Sequence, residues 1–283
     1  MSARAWWLLA CAGLANVAVG QTTTPCPPPL AYEQWTADTH PVRALSIDGP
    51  RGGRLAYLPA EHSRDPAHPQ LAGIERAWND LHPTLAFYEG PNRPIADSAE
   101  ATVRQAGESG FVRFLAQRDG VKLARLEPPP QDEAASVRER FGAERTELFY
   151  LLREAAQQRD RRGASPEALK ASMAQLIPRM AALPGMQPVI RSVDDLQAAY
   201  ARHWTSPANW WEAPMAWFDP LKDGKDTGGV FTNDVNRASS AFRNVHMVRV
   251  LSQAVRDGQR VIAVVGGNHV PLQEAALRCE IAR

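Results

Sequence analysis

Arg260-Val261-Ile262-Ala263-Val264-Val265-Gly266-Gly267-Asn268-His269 is the stretch that decides the fold. Its five consecutive apolar, mostly β-branched residues are too few for a helix and lack a period-two polar break. They therefore read as a strand buried on both faces. Two glycines end the strand, and a polar pair follows them. An α/β sheet delivers functional groups to the carboxyl edge of its strands in this way, and His269 is the group delivered. The competing reading is a glycine turn with an incidental histidine.

Upstream, residues 233–257 predict a long helix that passes through Asp257-Gly258 directly into the strand. So short a connection packs the helix antiparallel against the strand, with its beginning near the strand's carboxyl end. Asn236, Ser240, Arg243, Asn244 and Met247 share one face of it, which brings Arg243 toward His269. Downstream, residues 271–277 predict a short helix, with Cys279 just beyond.

The N-terminal half repeats the strand-end theme. Residues 42–47 and 54–58 predict two strands joined by the turn Asp48-Gly49-Pro50-Arg51-Gly52-Gly53, and Pro59-Ala60-Glu61-His62 follows the second. A helical pattern through Leu71, Ile74, Trp78 and Leu81 leads to a strand at 84–88, with Glu89 off its end. Helices over 98–117 lead to a strand at 121–126, with Glu127 off its end. A carboxylate beside a buried strand is costly unless it is exposed, paired or bound to metal.

The middle of the chain differs in composition. Residues 131–183 are rich in Arg, Glu, Gln and Ala, and read with a further helix at 192–203 as a helical insertion capping the sheet. Leu148, Tyr150, Leu151 and Leu152 form its expected core stripe, and its charges read as solvated faces with no chemistry of their own. In the segment 204–218, Trp204, Trp210, Trp211, Trp217 and Phe218 are interleaved with prolines. Such a segment either packs onto the core or offers rings to a cleft, a sugar or a membrane surface. The predicted class is thus α/β, a central mixed sheet flanked by helices with a helical cap, over residues 21–283.

With 32 basic and 31 acidic side chains, nothing suggests a nucleic-acid footprint. Arg4, the apolar run of residues 5–19 and the small residues Ala18-Val19-Gly20 read as a signal peptide over 1–20, hence a periplasmic or secreted protein. Leu8-Leu9-Ala10-Cys11 also has the form of a lipoprotein cleavage box. Removing the signal leaves Cys26 and Cys279 near opposite ends of the chain. Chain termini often meet at a domain surface, so one bridge is expected, with two free thiols as the alternative.

Two histidines and two carboxylates at one sheet edge suit a divalent metal in an open, water-bearing site. Such an ion lowers the pKa of bound water and permits hydrolysis at neutral pH. Gly266-Gly267-Asn268-His269, preceded by Arg243-Asn244-Val245-His246-Met247, resembles the C-terminal half of the TraB/GumN/Tiki group. Pro59-Ala60-Glu61-His62, Phe87-Tyr88-Glu89 and Leu126-Glu127 resemble the motifs of its N-terminal half. The resemblance implies His62, Glu89 and His269 as ligands of Mn, Co or Zn, and Glu127 as general base or further ligand. It implies Arg243 and Asn244 as the groups that orient substrate or oxyanion, and a peptide or small molecule as substrate. The broader superfamily also includes haem-binding ChaN-like proteins and erythromycin-esterase-like enzymes, which leaves as alternatives a non-enzymatic envelope protein, either a haem binder or a degenerate pseudoenzyme that binds through the Trp-rich segment, and a metal-free esterase with His62 as base. One departure stands out. Pro59 takes the place of the first glycine, and proline cannot adopt a positive φ.

Overall fold

The computed structural model describes residues 25–184 and 188–283; the expected signal peptide and Cys11 lie outside them. Five strands, β1 (Leu45–Asp48), β2 (Arg54–Ala60), β3 (Leu85–Tyr88), β4 (Lys122–Arg125) and β5 (Arg260–Gly266), form one sheet in the order β1-β2-β5-β3-β4. Only β1 runs antiparallel to its neighbour, so the sheet is mixed, and β5 is its central strand.

Helices cover both faces, which is why β5 is apolar without interruption. Ile262 and Val264 pack with α1 (Pro69–Leu81) and α2 (Ala99–Asp119), through Ile74, Trp78, Val112 and Leu115. Val261, Ala263 and Val265 face the other way, onto Met247, Leu251 and Leu277. Those three side chains come from the helices that precede and follow β5. Successive β5 side chains point to opposite faces, and each face finds its own core.

The middle of the chain folds as α3 (Pro130–Phe141), α4 (Ala143–Arg162), α5 (Pro166–Ala181) and α6 (Val193–Ala201), with a third core of their own. Leu148, Leu151 and Leu152 belong to it as the periodicity predicts, whereas Tyr150 is only partly buried. Trp204, Trp210 and Trp217 are buried in the same core, and Trp211 packs against it with the Lys170 ammonium over its ring. Trp204 and Trp217 stack at 5.0 Å between ring centroids, and their indole N–H groups donate to the carbonyls of Gly228 and Thr227. Of the two readings of this segment, packing onto the core holds: three of these rings are enclosed, and the indole N–H groups of Trp204 and Trp217 are satisfied inside the fold. A one-turn helix, α7 (Gly224–Thr227), leads to α8 (Thr232–Arg256), which feeds β5, and α9 (His269–Ala282) closes the chain.

Cys26 and Cys279 are disulfide-bonded across a sequence separation of 253 residues, which ties the start of the described chain to the end of α9. A disulfide persists in an oxidising compartment. No described helix is long and apolar enough to cross a membrane.

Candidate active site

Four polar side chains gather at the carboxyl edge of the parallel strands. Ala60 of β2 is in register with Gly266 of β5, and Tyr88 of β3 with Val264 of β5 and Arg125 of β4. The residues just past these ends, His62, Glu89, Glu127 and His269, are thereby neighbours despite more than two hundred residues of intervening chain. Arg243 reaches them from α8, as antiparallel packing on β5 requires.

Arg243 is the electrostatic hub. Its Nη2 donates to Glu89 Oε1 at 2.5 Å and to Glu127 Oε1 at 2.6 Å, while its Nε donates to Glu127 Oε2 at 2.7 Å. The Glu127 pair is bidentate, the stronger form of charge-assisted bond. The second Glu89 oxygen accepts the backbone N–H of Gly266 at 2.5 Å. Burial alone would raise the Glu89 pKa, but Arg243, His269 and the Gly266 N–H hold it down at about 2. Glu127 is pushed up instead, because burial and the charge of Glu89 outweigh its share of Arg243. One cation serves two carboxylates, so a proton arriving at the trio settles on Glu127.

His269 is set by a buried chain of hydrogen bonds. Asn244 Oδ1 lies 2.5 Å from His269 Nδ1 and accepts Gln273 Nε2 at 2.8 Å, and Gln273 Oε1 accepts the Tyr57 hydroxyl at 3.0 Å. An amide oxygen only accepts, so Nδ1 carries the proton and Nε2 keeps a bare lone pair, 3.8 Å from Glu89 Oε1. Burial, then the charge of Arg243, lowers the His269 pKa to about 4, so the ring is neutral at neutral pH. Asn244, expected to orient substrate, is buried away from the cavity and orients His269 instead.

His62 is exposed, on backbone with φ 59°. Pro59, expected to spoil this turn, lies inside extended β2, paired with Val265, so the positive φ falls on His62 and not on the proline. β1 pairs with β2 only as far as Tyr57, so the missing Pro59 N–H falls where β2 has a strand on one side alone. Gly107 interrupts α2 at φ 61° and would place a Cβ 2.8 Å from the carbonyl oxygen of Ser63. Glycine there lets the His62–Ser63 segment press onto α2, where Glu108 accepts the Ser63 N–H at 2.8 Å.

His62, Glu89, Glu127 and Arg243 line a cavity of about 520 Å³, and the buried His269 lies behind that lining. The far wall of the cavity comes from α3 and α4, through Glu133 and Arg153, charges that the helical periodicity assigns to solvated faces, and through Tyr150, expected in the core stripe. The Tyr150 hydroxyl donates to Glu133 Oε1 at 2.9 Å, as does the Ser239 hydroxyl at 2.6 Å. Burial, then the charge of Glu133, raises the Tyr150 pKa, so the phenol stays a donor. The cap is thus half of the site. Of the lining side chains only Ala60, Pro91, Ala106 and Val264 are aliphatic, which gives a haem macrocycle no apolar slot.

The donor set suits a divalent ion: two imidazoles, one of fixed tautomer, and an ionised carboxylate. A Cβ at Gly266 would stand 3.2 Å from His62 Nε2, 3.5 Å from Glu89 Oε2 and 3.6 Å from His269 Cδ2. The absent side chain therefore leaves a cradle framed by all three. At their present distances, no three His, Cys, Asp or Glu side chains among the described residues are close enough together to hold an ion. Compared with known proteins, the chain matches no family model, and no curated protein or solved structure is significantly similar to it.

Proposed function

We propose that the protein is an exported, metal-dependent hydrolase with peptidase-like chemistry, of the kind its resemblance to the TraB/GumN/Tiki group implies. The observation that carries this reading is the Gly266 cradle, framed by His62, Glu89 and His269 at the carboxyl edge of the sheet. The three side chains would hold Mn, Co or Zn, and such an ion, when bound, lowers the pKa of water and polarises a carbonyl.

The protein groups have separate tasks. Asn244, Gln273 and Tyr57 hold the His269 lone pair toward the cradle. Arg243 keeps Glu89 ionised as a donor and steadies negative charge at the edge. Glu127, the carboxylate that takes a proton more readily, accepts one from the attacking water and returns it to the leaving group. The Tyr150 hydroxyl and the Arg153 guanidinium face them across the cavity and hold the substrate against the edge. The disulfide supports an oxidising compartment, periplasmic or extracellular.

Metal analysis of the protein as purified, followed by a peptidase screen with added Mn, Co or Zn, tests the reading. About one bound equivalent is expected, lost in His269→Ala and in Glu89→Gln. No bound or restorable metal, with hydrolysis unchanged in His269→Ala, would overturn it.

A further inference from the structure

Six arginines, Arg64, Arg93, Arg125, Arg153, Arg161 and Arg162, line the same cavity, and no guanidinium of the six makes a hydrogen bond or salt bridge to another described residue, although that of Arg153 lies over the Phe149 ring. Several arginines elsewhere find carboxylates: Arg54 pairs with Asp48, Arg118 with Glu75, Arg202 with Glu144 and Arg256 with Glu280. In a chain whose formal charge is only +1, seven arginines against five glutamates, Glu89, Glu108, Glu127, Glu133 and Glu154, in one lining form a local excess of positive charge. They arrive from separate elements: Arg64 from the loop after β2, Arg93 from the loop after β3, Arg125 from the end of β4, and the other three from α4. Arg161 and Arg162 sit in the last turn of α4, where cations complement the helix dipole. That accounts for their sign, but not for Arg64 and Arg93, which come from the sheet side; Arg64 lies near enough to feel the charges of Arg162, Arg93 and Arg161.

The cavity is therefore polarised: Arg243 engages Glu89 and Glu127 at its floor, Glu108, Glu133 and Glu154 accept hydrogen bonds from neighbours, and the exposed guanidiniums of Arg64, Arg125, Arg161 and Arg162, with half-buried Arg93, stand at its mouth. We infer that the mouth recognises an anionic end of the substrate, a phosphate or a pair of carboxylates set away from the bond that is cut. Guanidinium forks match the geometry of such oxyanions, and partial burial strengthens each contact. The floor carboxylates repel the same group, so the anionic end stays at the mouth while the reacting bond reaches the edge. This assignment rests on reading the cavity as the active site and adds the substrate class to it.

Calorimetric titration of the folded mature protein with inorganic phosphate and, separately, with glutarate, at low and at 0.2 M salt, tests the inference without turnover. Saturable binding of one or both is expected, and whichever binds identifies the phosphate or the dicarboxylate class. The affinity should fall at least tenfold in the double variant Arg93→Gln/Arg161→Gln and several-fold in the higher salt, and spermidine should not bind. Arg43→Gln, remote and paired with Glu274, serves as the charge control and should bind as the unaltered protein does. Melting curves confirm that each variant is folded. Absence of saturable binding by both anions, or equal binding by the double variant, would overturn the inference. The two readings separate cleanly. Arginine-dependent binding in a protein that holds no metal and cleaves nothing removes the hydrolase and keeps the anion site. Cleavage of uncharged substrates that neither anion inhibits keeps the hydrolase and removes the anion site.

Discussion

The two histidine corners of the site stand on adjacent parallel strands, β2 and β5, and are built in opposite ways. His269 is buried at the start of α9, its tautomer set by Asn244 and its lone pair aimed at Glu89. His62 is exposed on a left-handed residue, in a loop held to α2 through Glu108. One corner is set by the core, whereas the other stands at the surface. The contrast also separates structural from chemical cost: the His269 corner is coupled to stability and the His62 corner is not.

The largest test of that coupling is Arg243→Met. It leaves Glu89 and Glu127 buried without their cation, which costs about 3–5 kcal/mol. Urea unfolding should register the loss, and Glu127→Gln in the same background should recover part of it. Next comes the double variant Cys26→Ser/Cys279→Ser. Releasing the anchor of α9 costs about 2–5 kcal/mol, and in hydrogen exchange the loosening should appear in α9 before it appears around His62.

The third test is pH. Below about 6.5 the unfolded chain takes a proton that native His269, with a pKa of about 4, refuses. Stability therefore falls as pH drops from 6.5 toward 4, by an amount on the order of 3 kcal/mol. Glu89 extends the loss as pH falls from 4.5 toward 2. Glu127 acts in the reverse sense, since its raised pKa favours the native state when protonated. Urea midpoints at pH 7 and 4.5 should converge in His269→Gln if His269 is responsible. The smallest structural effect is expected from His62→Gln, within about 0.5 kcal/mol of the unaltered protein, with hydrolysis reduced a hundredfold or more. A stability loss there as large as at His269 would break the comparison.

The sheet edge was legible because a strand buried on both faces announces itself in Val261–Val265, and a polar residue after such a strand is conspicuous. Arg243 was legible because helical periodicity and a two-residue connection fix its height above the sheet. The far wall was not. Glu133, Tyr150 and Arg153 lie on helices whose charges repeat as a solvated face would, and no local pattern distinguishes water from a cavity across which another element stands. Gln273 and Tyr57 were hidden for a different reason: their role is to hold Asn244, and such a chain of contacts has no spacing in sequence. Pro59 misled because a motif-level expectation assigned the positive φ to the wrong residue, whereas strand pairing extends β2 past the proline and shifts the turn to His62.

The bond between Cys26 and Cys279 makes the chain between them a covalent ring. A single cut anywhere inside it, for instance in the exposed stretch around Gly163, opens the ring without dividing the molecule. The piece that carries β1 to β4, α3 and α4 then stays linked through the bridge to the piece that carries Arg243 and His269. A nicked protein would migrate as one species until a reductant releases its two pieces.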